Sequence, residues 1–210
     1  MITYEIDQRR DEWFRVRLGK WTASNFSKCI TNTGKPSTQA DAINNRLAAE
    51  LYMGEPANDG YTNDAMERGK EMEAEAMRFL SFSGYEFENV GFCESNQNDE
   101  AGDGFGCSPD GINTDDDIGL ELKCPLAHTH VGYLVKGELP SQYKAQVQGS
   151  LLVTGFKRWL FVSYFPGLPP LILTVERDEE YIEKLKVELE KNCLTVKKRL
   201  EKLQEVDREE

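Results

Sequence analysis

The chain has 210 residues, 39% of them hydrophobic and 30% charged, with 37 acidic against 25 basic side chains and a formal net charge of −12. That apolar content is enough for one buried core, which predicts a single domain over 1–210 and excludes disordered and fibrous classes. No stretch approaches the ~18 consecutive apolar residues of a membrane helix, and MITYEIDQRR has no apolar run of the signal-peptide kind, so no membrane contact and a cytoplasmic location are expected.

In chain order, Asp7 is placed to cap a helix through QRRDEWFRVR that Gly19 stops, with Trp13 and Val16 on one face and Arg17 in its last turn. Thr22-Ala-Ser24 offers a second cap before NFSKCI, and the turn-rich TNTGKPST leads into a helix from about Gln39 to Met53 that Gly54 ends. Another helix runs from about Ala65 to Ser81. Residues 85–93, 104–113 and 117–124 read as strands, the last two joined by the acidic turn Asn113–Asp117. Ser141 caps a helix to about Thr154, two strands (160–164 and 171–175) flank the turn FPGLPP, and a long helix starts at about Glu179. Its stripe of Ile182, Leu185, Leu189, Cys193, Val196, Leu200 and Leu203 is expected to dock along its own domain. This order predicts an α/β (mixed α+β) fold, a central mixed sheet flanked by helices on both faces. Regular βαβ alternation, GxGxxG and GxxxxGK[ST] are absent from the sequence, which argues against nucleotide-binding folds. Five scattered cysteines with no CxxC are expected to be reduced thiols rather than a disulfide framework or a zinc cage.

The net charge conceals a distribution: +2 over 1–50, −15 over 51–122, +4 over 123–175 and −3 over 176–210. Basic segments flank an acidic one, as a metal-dependent enzyme acting on a polyanion requires. Within Ile118-Gly-Leu-Glu-Leu-Lys-Cys124, a strand puts Ile118, Leu120 and Leu122 on one face and Glu121 and Lys123 on the other. Alone, that pair reads as an ordinary exposed surface pair. One short hairpin upstream, Ser108-Pro109-Asp110-Gly111 is expected to hold Asp110 at a strand irregularity beside the same face. Asp110, Glu121 and the Leu122 carbonyl then supply part of an oxygen octahedron for Mg²⁺, and Lys123 holds or activates a water. On the helix 65–81, Glu73 falls within the apolar arc, where a carboxylate must be paired, hydrogen-bonded or metal-bound. On the helix 141–154, Gln146 shares a stripe with Tyr143 and could orient a water or a phosphate.

Five ordered blocks, Arg17-Leu-Gly-x-x-Thr-Ala-Ser24, Gly69-Lys-x-x-Glu73, Ser108-Pro-Asp110-Gly, Leu120-Glu-Leu-Lys-Cys-Pro125 and Ala145-Gln-Val-Gln148, resemble the phage lambda exonuclease family of the PD-(D/E)XK nuclease superfamily. The resemblance implies a Mg²⁺-dependent (Mn²⁺ may substitute), processive 5′-to-3′ exonuclease on ends of double-stranded DNA. It also implies a ring-shaped homotrimer, a single-strand annealing partner protein in recombination, and a bacterial host cell as the setting. By motif, Asp110 and Glu121 look like the metal ligands, Lys123 the water-activating amine, and Glu73 and Gln146 accessory residues around the water. Arg17, Ser24 and Ser108 resemble the pocket for the terminal 5′ phosphate, although Arg17 would also suit a helix C-terminus and Thr22 and Ser24 would also suit caps. Met66 lies where the family places a strand-separating wedge, and is equally suited to core packing. An endonuclease of the same superfamily, or a catalytically silent DNA-binding scaffold, is the competing reading.

Overall fold

The computed structural model describes residues 1–57, 64–95 and 104–209, with side chains described throughout except at 64–71 and 209. In chain order the elements are β1 (Ile2–Tyr4), α1 (Asp11–Val16), β2 (Trp21–Thr22), a 3-10 helix (Ala23–Lys28), α2 (Ala40–Met53), α3 (Asp64–Phe82), β3 (Phe92–Glu94), β4 (Phe105–Cys107), β5 (Gly111–Asn113) and β6 (Ile118–Lys123). They continue with α4 (Ala127–Lys136), a 3-10 turn (Ser141–Tyr143), α5 (Lys144–Thr154), β7 (Arg158–Ser163), β8 (Leu171–Glu176) and α6 (Glu179–Glu209). The mixed α+β class is as expected. The strands, however, form two four-stranded sheets, β1-β3-β4-β2 and β5-β6-β7-β8, where one was anticipated.

The reason lies at Ser108-Pro109-Asp110. The stretch read as one strand over 104–113 breaks there, because Pro109 has no N–H to offer a ladder. Before the break β4 pairs with β3, and after it β5 pairs with β6 in the other sheet. Caps also differ from expectation. Arg10, not Asp7, occupies the N-cap position of α1, and Thr22 precedes the first 3-10 helix, both without a side-chain cap bond.

Strand β6 runs antiparallel to β5 and parallel to β7, so it is interior to its sheet. Its alternation is real, but both faces are covered. Leu120 and Leu122, with Leu160 and Val162 of β7, pack against Ala76 and Leu80 of α3. The opposite face, with Trp159 and Phe161, joins the larger core that includes Phe26, Leu151 and Leu185. Helix α5 contacts β3 and β4 of one sheet and β6 and β7 of the other, which makes it the layer between them. Glu121, on the α5 side, is therefore 2% exposed rather than on a wet surface.

Helix α6 docks on its own domain as its stripe predicts. Ile182, Leu185, Leu189, Cys193 and Val196 are buried, and only toward the end does Leu203 emerge. A polar chain fixes α6 against α2: the Trp21 indole donates to Asn44 Oδ1 at 3.0 Å, and Asn44 Nδ2 donates to Asn192 Oδ1 at 2.7 Å. Among the described residues, no helix is long and apolar enough to cross a membrane.

Gly149 tests the packing of α5. Alanine would gain roughly 1 kcal/mol of helix propensity. A Cβ there would stand 2.1 Å from Phe26 Cδ2, and Phe26 is fully buried. Overpacking of that kind costs ~1–3 kcal/mol, so the clash wins. Gly149→Ala is expected to lower the unfolding free energy by up to about 2 kcal/mol in urea titration, at unchanged m.

Candidate active site

Beyond Leu120 the β5 side of β6 has lost its strand partner, since Gly111 opposite Leu120 is the last paired residue of β5. The Asp110 N–H still donates to the Leu120 carbonyl at 3.0 Å. Its side chain takes over the next rung: the Leu122 N–H donates to Asp110 Oδ2 at 2.6 Å. A strand residue points its N–H and C=O to the same side, so the Leu122 carbonyl is directed toward the Asp110 side with no strand to receive it. Glu121 and Lys123 lie on the α5 face and form an ion pair. From α5, Gln146 Nε2 donates to Glu121 Oε1 at 2.7 Å, so Oε1 serves both the amide and the ammonium.

The electrostatics of this cluster are unbalanced. Burial, and then the charge of Glu121, push the Asp110 carboxyl up to about 7, against the opposing pull of Lys123 and the Leu122 N–H. Burial works to lower the Lys123 ammonium, but Glu121 and Asp110 together outweigh it, and the net shift is upward. In this state Lys123 is a proton donor, not a base. Two carboxylates compete for one ammonium, and a hard dication would satisfy both. Asp110, Glu121 and the Leu122 carbonyl are all-oxygen donors of the kind Mg²⁺ accepts, so the residues fit that ion. Among the described residues no group of three or more His, Cys, Asp and Glu side chains is assembled as a metal cage, so the backbone carbonyl and exogenous oxygens must complete the shell.

Asp110 and Leu122 line a cleft of about 170 Å³ together with Gln8, Arg9, Glu73, Met77 and Asn89. Glu73 is thus at the site. Its placement differs from the expected inward position, because its side chain is 35% exposed at the cleft mouth and pairs with Arg9 at 3.2 Å. Gln148, in the same motif as Gln146, has a structural task instead, donating to the Glu176 carbonyl and accepting from the Asp178 N–H.

A second pocket, about 140 Å³, is lined by Arg17, Lys20 and Arg46 with Trp13, Thr22 and Asn25. Arg17 Nη1 donates to Ser108 Oγ at 2.9 Å, and its guanidinium stacks over the Trp13 ring at 3.7 Å. Trp13 Nε1 donates to Ser108 Oγ and to the Gly91 carbonyl, both at 2.9 Å. Burial lowers the Arg17 guanidinium to about 10, with Arg46 adding to the shift and Glu50 opposing it. Glu50 also lines the pocket and pairs with Arg46, and Lys20 pairs with Glu94, so of the three cations Arg17 is the one whose hydrogen bond goes to a neutral hydroxyl. Ser24 is not brought to Arg17; its Oγ lies 3.2 Å from Thr22 Oγ1, and Thr22 is the hydroxyl that lines the pocket. Met66 lies outside the residues whose side chains are described.

Sequence reasoning missed Gln8, Arg9, Lys20 and Arg46, all of them single polar residues outside recognisable spacing. It also read Trp13 as an apolar face residue, whereas the indole N–H organises Ser108. A further cavity, about 630 Å³, is lined by none of the anticipated site residues, and its Glu5, Asp7, Glu12 and Glu88 would repel a polyanion.

Residues 12–157 match the family model described as the YqaJ-like viral recombinase domain. Among solved structures, the alkaline exonuclease LHK-Exo of Laribacter hongkongensis is similar with a TM-score of 0.82 at 28% identity, over 95% of this chain and 99% of that one. The structure of LHK-Exo in complex with dAMP gives a TM-score of 0.81 at 28% identity, again over 95% and 99% of the two chains. A phage-related exonuclease from Haemophilus somnus 129PT shares the fold, with a TM-score of 0.64 at 16% identity over 88% of this chain and 96% of that one. No curated protein matches the chain.

The raised Asp110 carboxyl has a consequence for stability. Between the ordinary value of 3.8 and about 7, the folded state holds this proton and the unfolded chain does not, so stability falls as pH rises through that window. Asp110→Asn is therefore expected to raise the melting temperature of the metal-free protein by a few degrees at pH 8 and scarcely at pH 5. Differential scanning calorimetry in EDTA at the two pH values checks it.

Proposed function

The chain belongs to the YqaJ-like viral recombinase family, and from that premise we propose that it is a DNA exonuclease with a PD-(D/E)XK-type fold. It is Mg²⁺-dependent, with Mn²⁺ able to substitute, and it degrades linear duplex from the 5′ end to mononucleotides, leaving a 3′ single strand for recombination. The observation that carries this reading is the join between the two sites. Ser108, which accepts a hydrogen bond from Arg17 of the cationic pocket, is two residues from Asp110 in the acidic cleft, at most about 7 Å of extended chain. A strand whose terminal phosphate sits against Arg17 and Ser108 would bring its next phosphate to Asp110 and Glu121. The dAMP complex of the relative LHK-Exo supports a pocket of nucleoside-monophosphate size.

Each side chain then has a task. Arg17 and the Ser108 hydroxyl hold the terminal phosphate, with Thr22 and Ser24 at the rim. Asp110, Glu121 and the Leu122 carbonyl hold Mg²⁺, which when bound lowers the pKa of water and offsets charge on the phosphate. Lys123, released from Glu121, keeps its proton and donates it as a hydrogen bond to the attacking water or to a phosphate oxygen. Gln146 fixes the Glu121 carboxylate. Glu73 stands at the cleft mouth as an acceptor for water. Water attacks phosphorus, the bond from phosphorus to the 3′ oxygen of the first nucleotide breaks, and that oxygen takes up a proton. The remaining strand keeps the phosphorus and so ends in a new 5′ phosphate, the group the cationic pocket is built to accept. A ring-shaped homotrimer that threads the duplex, with basic segments 1–50 and 123–175 turned to its channel, would give processivity. A single-strand annealing protein would take up the 3′ strand, in the cytoplasm of a bacterial host.

One assay tests the chemistry: linear and covalently closed duplex, each with Mg²⁺ or EDTA, and wild type against Lys123→Ala. Digestion of the linear form alone, only with Mg²⁺, and its loss in the folded variant is the expected result. Cutting of the circle would make the protein an endonuclease, and no digestion at all would make it a scaffold.

Arg17→Ala should slow digestion of 5′-phosphorylated ends far more than of 5′-hydroxyl ends. The charge-assisted contact is worth on the order of 1.5–3 kcal/mol, about 10- to 100-fold, only when the phosphate is present. Rates on the two kinds of end, compared in wild type and variant, measure the lost preference.

A further inference from the structure

Arg9 sits in the cleft in a backbone conformation that its residue type does not favour. Its φ is 70°, one of two positive values at non-glycine positions among the described residues. In that region Cβ crowds the following carbonyl, and glycine would occupy it at no steric cost. The neighbours on both sides impose it. Gln8 Nε2 donates to the Val90 carbonyl at 3.1 Å and to the Pro109 carbonyl at 2.8 Å, which pins the residue before Arg9 to the backbone that carries Asp110. On the other side Arg10 already occupies the N-cap position of α1. The left-handed residue between them carries its side chain over the cleft to Glu73, where Nη2 lies 3.3 and 3.2 Å from the two carboxylate oxygens.

An ion pair that is 47% and 35% exposed contributes little to stability, so it does not account for holding an arginine in this turn. Guanidinium has five N–H donors in a planar fork, and Glu73 engages only those of Nη2. The cleft is lined by two carboxylates, Asp110 and Glu73, with Arg9 as its cation, and the Glu121–Lys123 pair lies behind it on the α5 face. A phosphodiester adds another negative charge to that excess. We propose that Arg9 is a substrate-binding residue whose guanidinium takes the non-bridging oxygens of the phosphodiester being cut, on the side of the cleft away from Lys123. Glu73 holds it in place until the DNA arrives, and binding exchanges the Glu73 oxygens for phosphate oxygens. This rests on the cleft being the phosphodiester-hydrolysing site.

The test uses the left-handed turn itself. Arg9→Gly removes the guanidinium while supplying the residue that φ 70° favours, so the fold is kept. Arg9→Lys keeps the charge without the fork. Binding is measured with the full-length protein in Ca²⁺, under conditions checked for absence of cleavage. The probes are two 5′-phosphorylated duplexes that differ only in the linkage between the first and second nucleotides, natural in one and an uncharged methylphosphonate in the other. Neutralising that linkage should weaken wild-type binding about tenfold more than it weakens Arg9→Gly, in which the ion and Lys123 still meet the phosphate, with Arg9→Lys between. An equal loss in wild type and Arg9→Gly would show that Arg9 does not meet that phosphate and would overturn the proposal. The two readings fail separately: a wild type that digests linear duplex but shows no such coupling removes Arg9 alone, whereas a wild type that neither binds nor digests removes the exonuclease.

Discussion

A carboxylate withdrawn from water must be paired, hydrogen-bonded, metal-bound or protonated, and two of them meet at the end of strand β6. Glu121 is 2% exposed beneath α5, and Asp110 is held against the next rung of the same strand by its bond to the Leu122 N–H. Lys123 answers one of these charges. Burial, and then the charge of Glu121, raise the Asp110 carboxyl to about 7. Gln146 reaches in from α5 to fix Glu121, and Gln8 reaches across to the Pro109 carbonyl and fixes the backbone that presents Asp110. The rigidity is local and comes from hydrogen bonds to backbone at the point where the two sheets part company.

That parting also couples the two halves of the site. Ser108 belongs with the first sheet and with the Trp13–Arg17 stack, Asp110 with the second sheet, and Pro109 is the residue at which the ladder cannot continue. The pocket carries Arg17, Lys20 and Arg46 against Glu50, and the cleft carries Asp110 and Glu73 against Arg9. On the proposed function, a phosphorylated DNA end with its divalent ion would meet both, while the acidic lining of the 630 Å³ cavity would repel it. Local charge, not the net charge of −12, therefore decides what this protein can bind.

Much of this was legible in the sequence where a period or a motif carried it. The alternation of Ile118, Leu120 and Leu122 gave the strand and its two faces, the spacing on α6 gave its docking stripe, and Asp110, Glu121, Lys123 and Gln146 of the ordered blocks are neighbours in the structure. The exposure of the Glu121 face was not legible, because alternation distinguishes two faces without saying that a helix covers the second. The split of 104–113 into two sheets hung on one proline in an otherwise strand-like run. Strands β1 and β2, of three and two residues, are too short to show a period, and α4 is hidden by Thr129, Val131, Tyr133 and Val135, residues that favour strands. Glu73 was placed at the site but on the wrong side of its exposure, since its partner Arg9 reaches it from 64 residues away through a turn that no pattern announces.

The central claim is that Asp110, bonded to the edge of β6, and Glu121 on it form a divalent-cation site. Anomalous scattering from crystals grown with Mn²⁺, an ion chosen for its signal, tests it most directly. The account predicts a single strong peak bounded by the Asp110 and Glu121 carboxylates and the Leu122 carbonyl, with the Lys123 ammonium drawn away from Glu121. A peak at other residues, or an intact Lys123–Glu121 pair with no peak at Mn²⁺ concentrations that support digestion, would contradict it.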